Sequence, residues 1–195
     1  MSEDFVNRLT KLEKICHHFH LSLQSGCTKT LKRMNRRYTA YEFEKVVNRL
    51  RQAYTDVILT TDIIVGFPLE TDNEFSESYE FLKKIKFYKM HVFQFSPRAG
   101  TKAAAMKEQI AGNIKEKRSK ILLELSNKNE EEYLKGYIGK TVEVLFEELD
   151  QDGYYKGHTA NYIMVKVKTK IDIKGEIIKV NITKNFKTEL FGKIL

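Results

Sequence analysis

A nearly continuous run of apolar and β-branched residues at positions 57–65 constrains the fold of this chain more than any other feature. The polar residues Thr60, Thr61 and Asp62 are its only interruption. Strands that are apolar on both faces belong to parallel sheets buried beneath helices. The run ends at the turn-forming residues 66–68, which read Gly-Phe-Pro. The run therefore predicts an α/β domain built around a parallel sheet.

Further helices and strands are predicted on both sides of this run. Residues 4–15 are predicted to form a helix with Phe5, Leu9 and Leu12 on one face. Residues 18–23 and residues 90–95 read as two more strands.

Three sequences resemble capping boxes, in which a side chain and the helix backbone satisfy each other's hydrogen bonds. They begin at Thr39, Thr71 and Asn113, and the third opens a long charged helix that extends to about Leu134. Strands and helices therefore alternate, which predicts right-handed crossovers between parallel strands. Three strands do not close a barrel, so we expect this part either to dimerise through its open edges or to be a piece of a larger barrel. We favour the larger barrel.

The pattern changes to a period of two residues after Tyr137. Several short alternating segments follow, with a turn at Asp152-Gly153, and they fit a small closed β-barrel of the OB type. We place the boundary near Gly136, which gives a first domain of residues 1–136 and a second of residues 137–195.

The charge of the chain favours a polyanionic partner. The formal net charge is +8, and residues 29–37 hold five cations and no acid. Candidate phosphate contacts in this basic turn are Lys29, Lys32, Arg33, Arg36 and Arg37. In the second domain, cations mix with one aromatic ring at Lys156, His158, Tyr162, Lys166 and Lys168. A solvated, lysine-rich surface and a barrel that merely packs on its neighbour are the alternatives.

Candidate ligand contacts lie where the predicted strands end, because parallel α/β folds bind ligands at that edge. Small and polar residues follow the first strand at Gln24, Ser25 and Gly26. Thr61 and Asp62 interrupt the buried strand, and Asp62 needs either a ligand or a structural partner there. After the third strand, Arg98 can pair with a carboxylate or a phosphate of a ligand, or with Asp62 or Glu70.

No metal site is predicted. The two cysteines, Cys16 and Cys27, form no CxxC motif and are too few for an iron–sulfur cluster. His17, His18 and His20 lack an acid or a cysteine that would complete a ligand set. The charged N-terminus and the lack of a long apolar run predict a cytoplasmic protein without a membrane partner.

Four segments carry a resemblance to a known family: HLSLQSG with LKRMNRRYT, then TDIIVGFPLET, then FQFSPRAGT. In this order and spacing they closely resemble the radical-SAM methylthiotransferases. The tail, with YIGKTVEVLFEE, GHTANYIMVKV and GEIIKVNIT, looks like the TRAM domain of that family. LSLQSGC and MNRRYT look most like the branch that thiomethylates threonylcarbamoyl-adenosine beside the tRNA anticodon. Leu69 stands where relatives commonly have Gly.

The resemblance implies the C-terminal half of a radical-SAM partial (β/α) barrel followed by an OB-like TRAM barrel. Family members use S-adenosylmethionine and two 4Fe-4S clusters, whose cysteine ligands this sequence does not contain. The chain is therefore expected to be a fragment that is inactive alone, with no catalytic residue of its own. Its partners would be the anticodon stem-loop of tRNA and the missing N-terminal part of the enzyme. By resemblance, the cofactor-binding residues would be Gln24, Ser25, Gly66, Phe95 and Ser96, with Thr61, Asp62 and Arg98 as further candidates.

Two other functions are compatible with the sequence. The chain could act as a stand-alone RNA-binding module, in which the half-barrel is a scaffold. It could also belong to the branch whose substrate is a ribosomal protein, in which the TRAM domain binds a protein. A dimer driven by the exposed sheet edge is expected if the chain is truncated.

Overall fold

A computed structural model describes all residues from 1 to 195. The first part of the chain alternates helices with three strands. Its elements are α1 (Glu3–Leu9), β1 (His18–His20), α2 (Thr28–Arg33), α3 (Ala40–Ala53), β2 (Ile58–Val65), α4 (Asp72–Ile85), β3 (Lys89–Gln94) and α5 (Gly112–Lys135). None of the helices combines the length and the apolar character that a membrane span requires.

Helices α3 and α4 begin at the capping boxes that the sequence predicts. The hydroxyl of Thr39 accepts from the amide of Glu42, and the Glu42 carboxylate accepts from the Thr39 amide. The same reciprocal bonds start α4 at Thr71. The third predicted box is wrong, because α5 begins at Gly112 after Ala111, which has no side chain to cap it.

The three strands are parallel and lie in the order β1-β2-β3. One face of the sheet is buried beneath helices and includes Leu59, Ile63 and Val65 of β2. The opposite face carries the intervening residues, among them Asp62 and Ile64. No helix covers this second face, which we call the open face.

Two local predictions about the first part need correction. Helix α1 is much shorter than expected and ends at Leu9, where Thr10 caps it, so Leu12 lies outside it with 56% of its surface exposed. Val6, rather than Phe5, is its buried residue. The basic segment after β1 is not a turn, because residues from Thr28 to Arg33 form helix α2.

The second part is a closed five-stranded barrel, as predicted. Its strands are β4 (Thr141–Leu149), β5 (Tyr155–Thr159), β6 (Met164–Val167), β7 (Ile177–Phe186) and β8 (Glu189–Ile194), joined in the order β4-β5-β6-β8-β7. Alternate residues such as Val144, Phe146 and Val180 fill its interior. At Gly157 a Cβ atom would lie 2.1 Å from the carbonyl oxygen of Leu145, so only glycine fits.

The barrel docks on the amino-terminal ends of the sheet strands. Ile58, the first residue of β2, is buried in the core of the barrel. The Asn161 side chain donates to the carbonyl of Asp56 at 3.0 Å and to the hydroxyl of Tyr137 at 2.8 Å. Because Asn161 is only 4% exposed, these bonds satisfy a buried amide and fix the barrel to the loop before β2.

Candidate cofactor cleft and nucleic-acid interface

A cleft of about 480 Å³ lies on the open face, at the carboxyl ends of β2 and β3. Five of the eight predicted cofactor-binding residues line it: Gln24, Asp62, Phe95, Ser96 and Arg98. Ile64 and Phe93 add apolar surface between them. The strands thus bring together side chains that are far apart in the sequence.

Gln24 enters the cleft because the chain continues the path of β1 after a short interruption. Its amide donates to the carbonyl of Asp62 at 2.9 Å, and its carbonyl accepts from the amide of Ile64 at 2.9 Å. Its φ of 74° is unusual for a residue with a side chain. The two backbone bonds to β2 hold Gln24 in that conformation.

Asp62 has a structural partner as well as access to the cleft. Its carboxylate lies 3.1 Å from Nε2 of His20 and 3.3 Å from the Ser22 hydroxyl, which donates to it. The His20 ring also contacts the Thr60 hydroxyl at 3.0 Å through Nδ1. Asp62 therefore offers a positioned carboxylate, of the kind that accepts hydrogen bonds from ribose hydroxyls.

Arg98 has no carboxylate partner in the structure. Of the two acids proposed as its alternatives, Asp62 contacts His20, and Glu70 is paired with Arg118 at 3.0 Å. Arg98 lies on the cleft wall beside Ser96, with its guanidinium not engaged in any ion pair. A free guanidinium of this kind can bind a ligand carboxylate with two hydrogen bonds.

Thr61 and Ser25 lie away from the cleft. Thr61 is fully buried on the helix-covered face, where its hydroxyl donates to the Leu21 carbonyl and accepts from the Leu23 amide. The hydroxyl of Ser25, which is 1% exposed, accepts from the amide of Cys27. Their geometry supports structural roles in the loop after β1 rather than the predicted contact with a cofactor.

Gly66 shapes the cleft without lining it. Its φ is 70°, and a Cβ atom there would lie 2.2 Å from Cγ of Lys115. That lysine crosses over Gly66 from α5 and donates to the Phe95 carbonyl at 2.9 Å. Glycine at position 66 therefore lets Lys115 hold the end of β3. No motif in the sequence indicates that these two residues meet.

The buried acid Glu70 forms part of the same support. Its carboxylate accepts from the Gly66 amide and from the Arg118 guanidinium, and both side chains are almost fully buried. Burial raises the pKa of Glu70, although both donors favour its ionised form. Glu70 thus connects the turn after β2 to α5.

The cleft has the polar and apolar groups that S-adenosylmethionine requires. Phe93 and Phe95 can cover an adenine ring, Asp62 can accept from a ribose, and Arg98 can bind the amino-acid carboxylate. The same residues do not fit an iron–sulfur cluster. Cys16 is exposed, Cys27 is buried with its pKa raised by burial, and no cluster of metal ligands is present.

The predicted phosphate contacts of the first part lie on and after α2. Lys29, Lys32, Arg36 and Arg37 are exposed. Arg33 differs, because its guanidinium donates to both carboxylate oxygens of Glu74, one of them at 2.8 Å. This pairing lowers the pKa of Glu74 and leaves Arg33 committed to the protein.

Most of the predicted contacts on the barrel are neutralised by the protein itself. Lys156 lies 3.6 Å from Glu148 and 3.7 Å from Asp150. Lys166 is paired with Asp150 and Glu189, and its side chain is only 12% exposed.

The predicted aromatic contact on the barrel is also engaged. The Tyr162 ring stacks on His158 with centroids 4.5 Å apart and on His18 of the first part at 5.5 Å. His158 in turn contacts Glu147. The Tyr162 stack therefore joins the two parts of the chain.

The two predicted basic regions lie at opposite ends of the sheet. Helix α2 follows the carboxyl end of β1, whereas the barrel covers the amino ends of the strands. The eight residues of β2 span about 25 Å at roughly 3.3 Å per residue. A nucleic acid that touches both regions must therefore follow the length of the sheet.

Two family models match the chain: the Radical SAM superfamily over residues 1–82 and the TRAM domain over residues 135–195. Among solved structures, coproporphyrinogen III oxidase (HemN) from Escherichia coli, described as a Radical SAM enzyme, aligns with a TM-score of 0.55. The alignment covers 66% of this chain and 30% of that chain at 13% identity, so it supports the fold alone. The chain is thus a radical SAM protein with a TRAM domain.

Comparison with individual curated proteins identifies more specific relatives of the chain. The chain is 38% identical to the threonylcarbamoyladenosine tRNA methylthiotransferase MtaB of Bacillus subtilis, over 94% of this chain and 42% of the relative. It is 40% identical to the tRNA-2-methylthio-N(6)-dimethylallyladenosine synthase of Thermodesulfovibrio yellowstonii, over 100% of this chain and 45% of the relative. The chain is thus homologous over nearly its whole length to radical SAM methylthiotransferases, and it spans less than half the length of these relatives.

Proposed function

We propose that this chain is the C-terminal part of an enzyme that adds a methylthio group to a modified adenosine of tRNA, in the cytoplasm. The observation that carries the proposal is the cleft at the strand ends, in which Gln24, Asp62 and Arg98 converge within a radical SAM domain that is followed by a TRAM domain. Relatives that match the whole chain are named as tRNA methylthiotransferases or methylthio-adenosine synthases.

The role proposed for this chain in the reaction is to bind and orient the cofactor. S-adenosylmethionine, when bound beside a reduced iron–sulfur cluster, supplies the adenosyl radical and the methyl group. Arg98 would hold its carboxylate, Asp62 its ribose, and Gln24 and Ser96 its remaining polar groups. Both clusters would be held by residues outside these 195, which makes the chain alone inactive.

The exposed cations on and after α2 are proposed to bind tRNA. Lys29, Lys32, Arg36 and Arg37 are close in sequence on one segment, and none forms an ion pair. They follow the same strand end that leads into the cleft. We propose that they contact phosphates of the anticodon stem-loop, which would bring the adenosine toward the cofactor.

Threonylcarbamoyl-adenosine is the proposed nucleoside. The segments LSLQSGC and MNRRYT support this branch, and so does the name of the Bacillus subtilis relative. The dimethylallyl-adenosine synthases are the competing branch, at 36% and 40% identity.

Nucleoside analysis tests this function. The gene that encodes the chain is deleted in its own host, and digested tRNA is compared by mass spectrometry with tRNA from the parent strain. We expect the methylthio form of threonylcarbamoyl-adenosine to disappear, while the methylthio form of dimethylallyl-adenosine persists. Loss of the second nucleoside alone would assign the chain to the competing branch, and loss of neither would contradict the proposal.

A stand-alone RNA-binding function is the second candidate, because the chain holds no cluster ligands. In that case the deletion would leave both nucleosides unchanged while the purified chain still binds RNA. We also propose a domain boundary near Gly136. Two further proposals are that the TRAM domain binds a ribosomal protein and that the chain dimerises through the edge of its sheet. Sedimentation of the purified chain tests the dimer.

A further inference from the structure

The outer face of the barrel carries a second group of cations and aromatic rings, which we call the Tyr154–Phe191 patch. It consists of Tyr154, Lys168, Lys184 and Phe191. The two rings meet edge to face with centroids 5.5 Å apart. Nζ of Lys168 lies 5.3 Å from the centroid of Tyr154, and Nζ of Lys184 lies 4.8 Å from that of Phe191.

Strand pairing explains why these four residues share one face. In the ladders, Phe191 lies opposite Lys166 of β6 and opposite Lys184 of β7. Tyr154 directly precedes Tyr155, which pairs with Val167, so Tyr154 reaches Lys168 across the β5–β6 ladder. The buried residues Val165, Val167 and Leu190 alternate with them and point into the barrel.

The two lysines of the patch are available to bind a ligand. Lys168 and Lys184 are exposed, and neither forms an ion pair. Lys156 and Lys166, on the same side of the barrel, are paired with Glu148, Asp150 and Glu189. Lys166, whose Nζ lies 6.0 Å from the Phe191 centroid, is thus neutralised by acids, whereas Lys168 and Lys184 beside it are free.

We propose that the Tyr154–Phe191 patch binds single-stranded RNA through base stacking and phosphate contacts. The inference rests on the proposed function, because it takes RNA as the partner and names the barrel surface that binds it. An unpaired base would stack on the Phe191 ring. Lys184 would leave the ring face and pair with the adjoining phosphate, and Lys168 would do the same beside Tyr154.

The chemistry of the patch favours RNA over an acidic peptide. Tyr154 and Phe191 are half-buried, and a cation above such a ring at the protein surface is held weakly, so a base can replace it at little cost while a phosphate takes up the charge. A carboxylate-rich peptide would use the lysines but would have no group to stack on the rings. The patch also lies away from the Tyr162 stack, so RNA can bind it without opening the junction between the two parts.

The test is a fluorescence titration of the purified chain with a labelled RNA hairpin that has a seven-nucleotide loop, at several salt concentrations. Phe191→Leu removes the stacking surface, and we expect it to weaken binding about five- to 100-fold. Lys184→Gln, on an exposed side chain, should lower the slope of log affinity against log salt by about one. Far-UV circular dichroism confirms that each variant is folded.

Two matched variants control for the loss of a ring or a charge elsewhere. Tyr41→Leu removes an exposed ring that lies beneath Lys45 on α3. Lys140→Gln removes a barrel lysine that lies 5.2 Å from the ring of Tyr137. We expect Tyr41→Leu to leave the affinity unchanged, and Lys140→Gln to leave the salt slope unchanged.

The outcomes separate this inference from the function on which it rests. If the parent chain binds the hairpin and the patch variants bind equally well, the Tyr154–Phe191 patch is not the RNA surface, although RNA binding stands. If the parent chain binds no RNA, both the patch and RNA recognition by this chain are refuted. If Lys184→Gln and Lys140→Gln lower the salt slope equally, only overall charge is sensed, and equal weakening by Phe191→Leu and Tyr41→Leu means that Phe191 has no special role; either result refutes the patch.

Discussion

Replacing Gly66 by Ala, at a buried turn, should destabilise the chain more than backbone strain alone would. The new Cβ would lie 2.2 Å from Cγ and 2.7 Å from Cδ of Lys115. That side chain would have to move, and its hydrogen bond to the Phe95 carbonyl would be lost.

The expected cost has two parts. A residue with a side chain at a φ of 70° loses about 1–2 kcal/mol relative to glycine. A half-buried, charge-assisted hydrogen bond contributes roughly 1–2 kcal/mol more. The free energy of unfolding should therefore fall by about 2–4 kcal/mol. Because the chain contains no tryptophan, urea unfolding is followed by far-UV circular dichroism.

Gly100→Ala is the matched control, because it separates backbone strain from the clash. Gly100 has a φ of 81°, yet no atom lies within 4 Å of its would-be Cβ. Gly100→Ala should therefore cost only the backbone strain, about 1–2 kcal/mol. Equal losses of unfolding free energy for Gly66→Ala and Gly100→Ala would refute the proposed role of Lys115. In a Lys115→Ala background the difference between the two losses should shrink, and an unchanged difference would refute that role as well.

Three further predictions follow from buried polar contacts. Arg118→Met should lower the free energy of unfolding, measured in urea, by about 3–5 kcal/mol, because it leaves Glu70 buried without its cation. The double variant Arg118→Met with Glu70→Gln should recover part of that loss. Glu74→Gln should destabilise the chain at pH 7, and by progressively less as the pH falls below about 4.3. Arg33 lowers the pKa of Glu74, so its stabilising effect is complete above the unfolded-state pKa of about 4.3 and is lost as the pH falls through the folded-state value. Asn161→Ala should lower the free energy of unfolding by about 1–3 kcal/mol and loosen the barrel from the sheet. Limited proteolysis should then cut the chain faster between the two parts. An unchanged cleavage pattern would contradict this role of Asn161.

Local sequence signals predicted much of the fold because they act over short distances. The capping boxes at Thr39 and Thr71 are set by residues three apart, and the alternation after Tyr137 sets the barrel strands. The run at 57–65 correctly predicted a parallel strand buried against helices. Leu69 stands where the family resemblance implies glycine, and its φ of 67° is the conformation that glycine adopts most readily.

Contacts between distant residues were not predictable in the same way. Thr61 was proposed as a cofactor contact because it is polar within an apolar run, but strand periodicity turns it toward the loop after β1. Arg33 looks like its basic neighbours in the sequence, yet Glu74, 41 residues away, binds it. Which lysines of the barrel stay free likewise depends on acids brought close by strand pairing, such as Asp150 beside Lys166.

The open face also explains why a chain of this kind needs further strands. Ile64 and Phe93 lie on a face that no helix of this chain covers, and Phe93 is 53% exposed. Additional strands of a larger barrel would enclose the cleft and exclude water from it. This is the arrangement expected if residues outside these 195 supply the clusters.

A chimera tests whether this chain supplies the cofactor-binding part of a tRNA methylthiotransferase. The segment of the Bacillus subtilis relative that aligns with this chain is replaced by residues 1–195, and the hybrid is expressed in a Bacillus subtilis strain that lacks that relative. We expect the hybrid to restore the methylthio form of threonylcarbamoyl-adenosine in tRNA, and we expect Arg98→Ala in the hybrid to abolish it. A folded hybrid with intact clusters that restores no methylthio nucleoside would contradict the account.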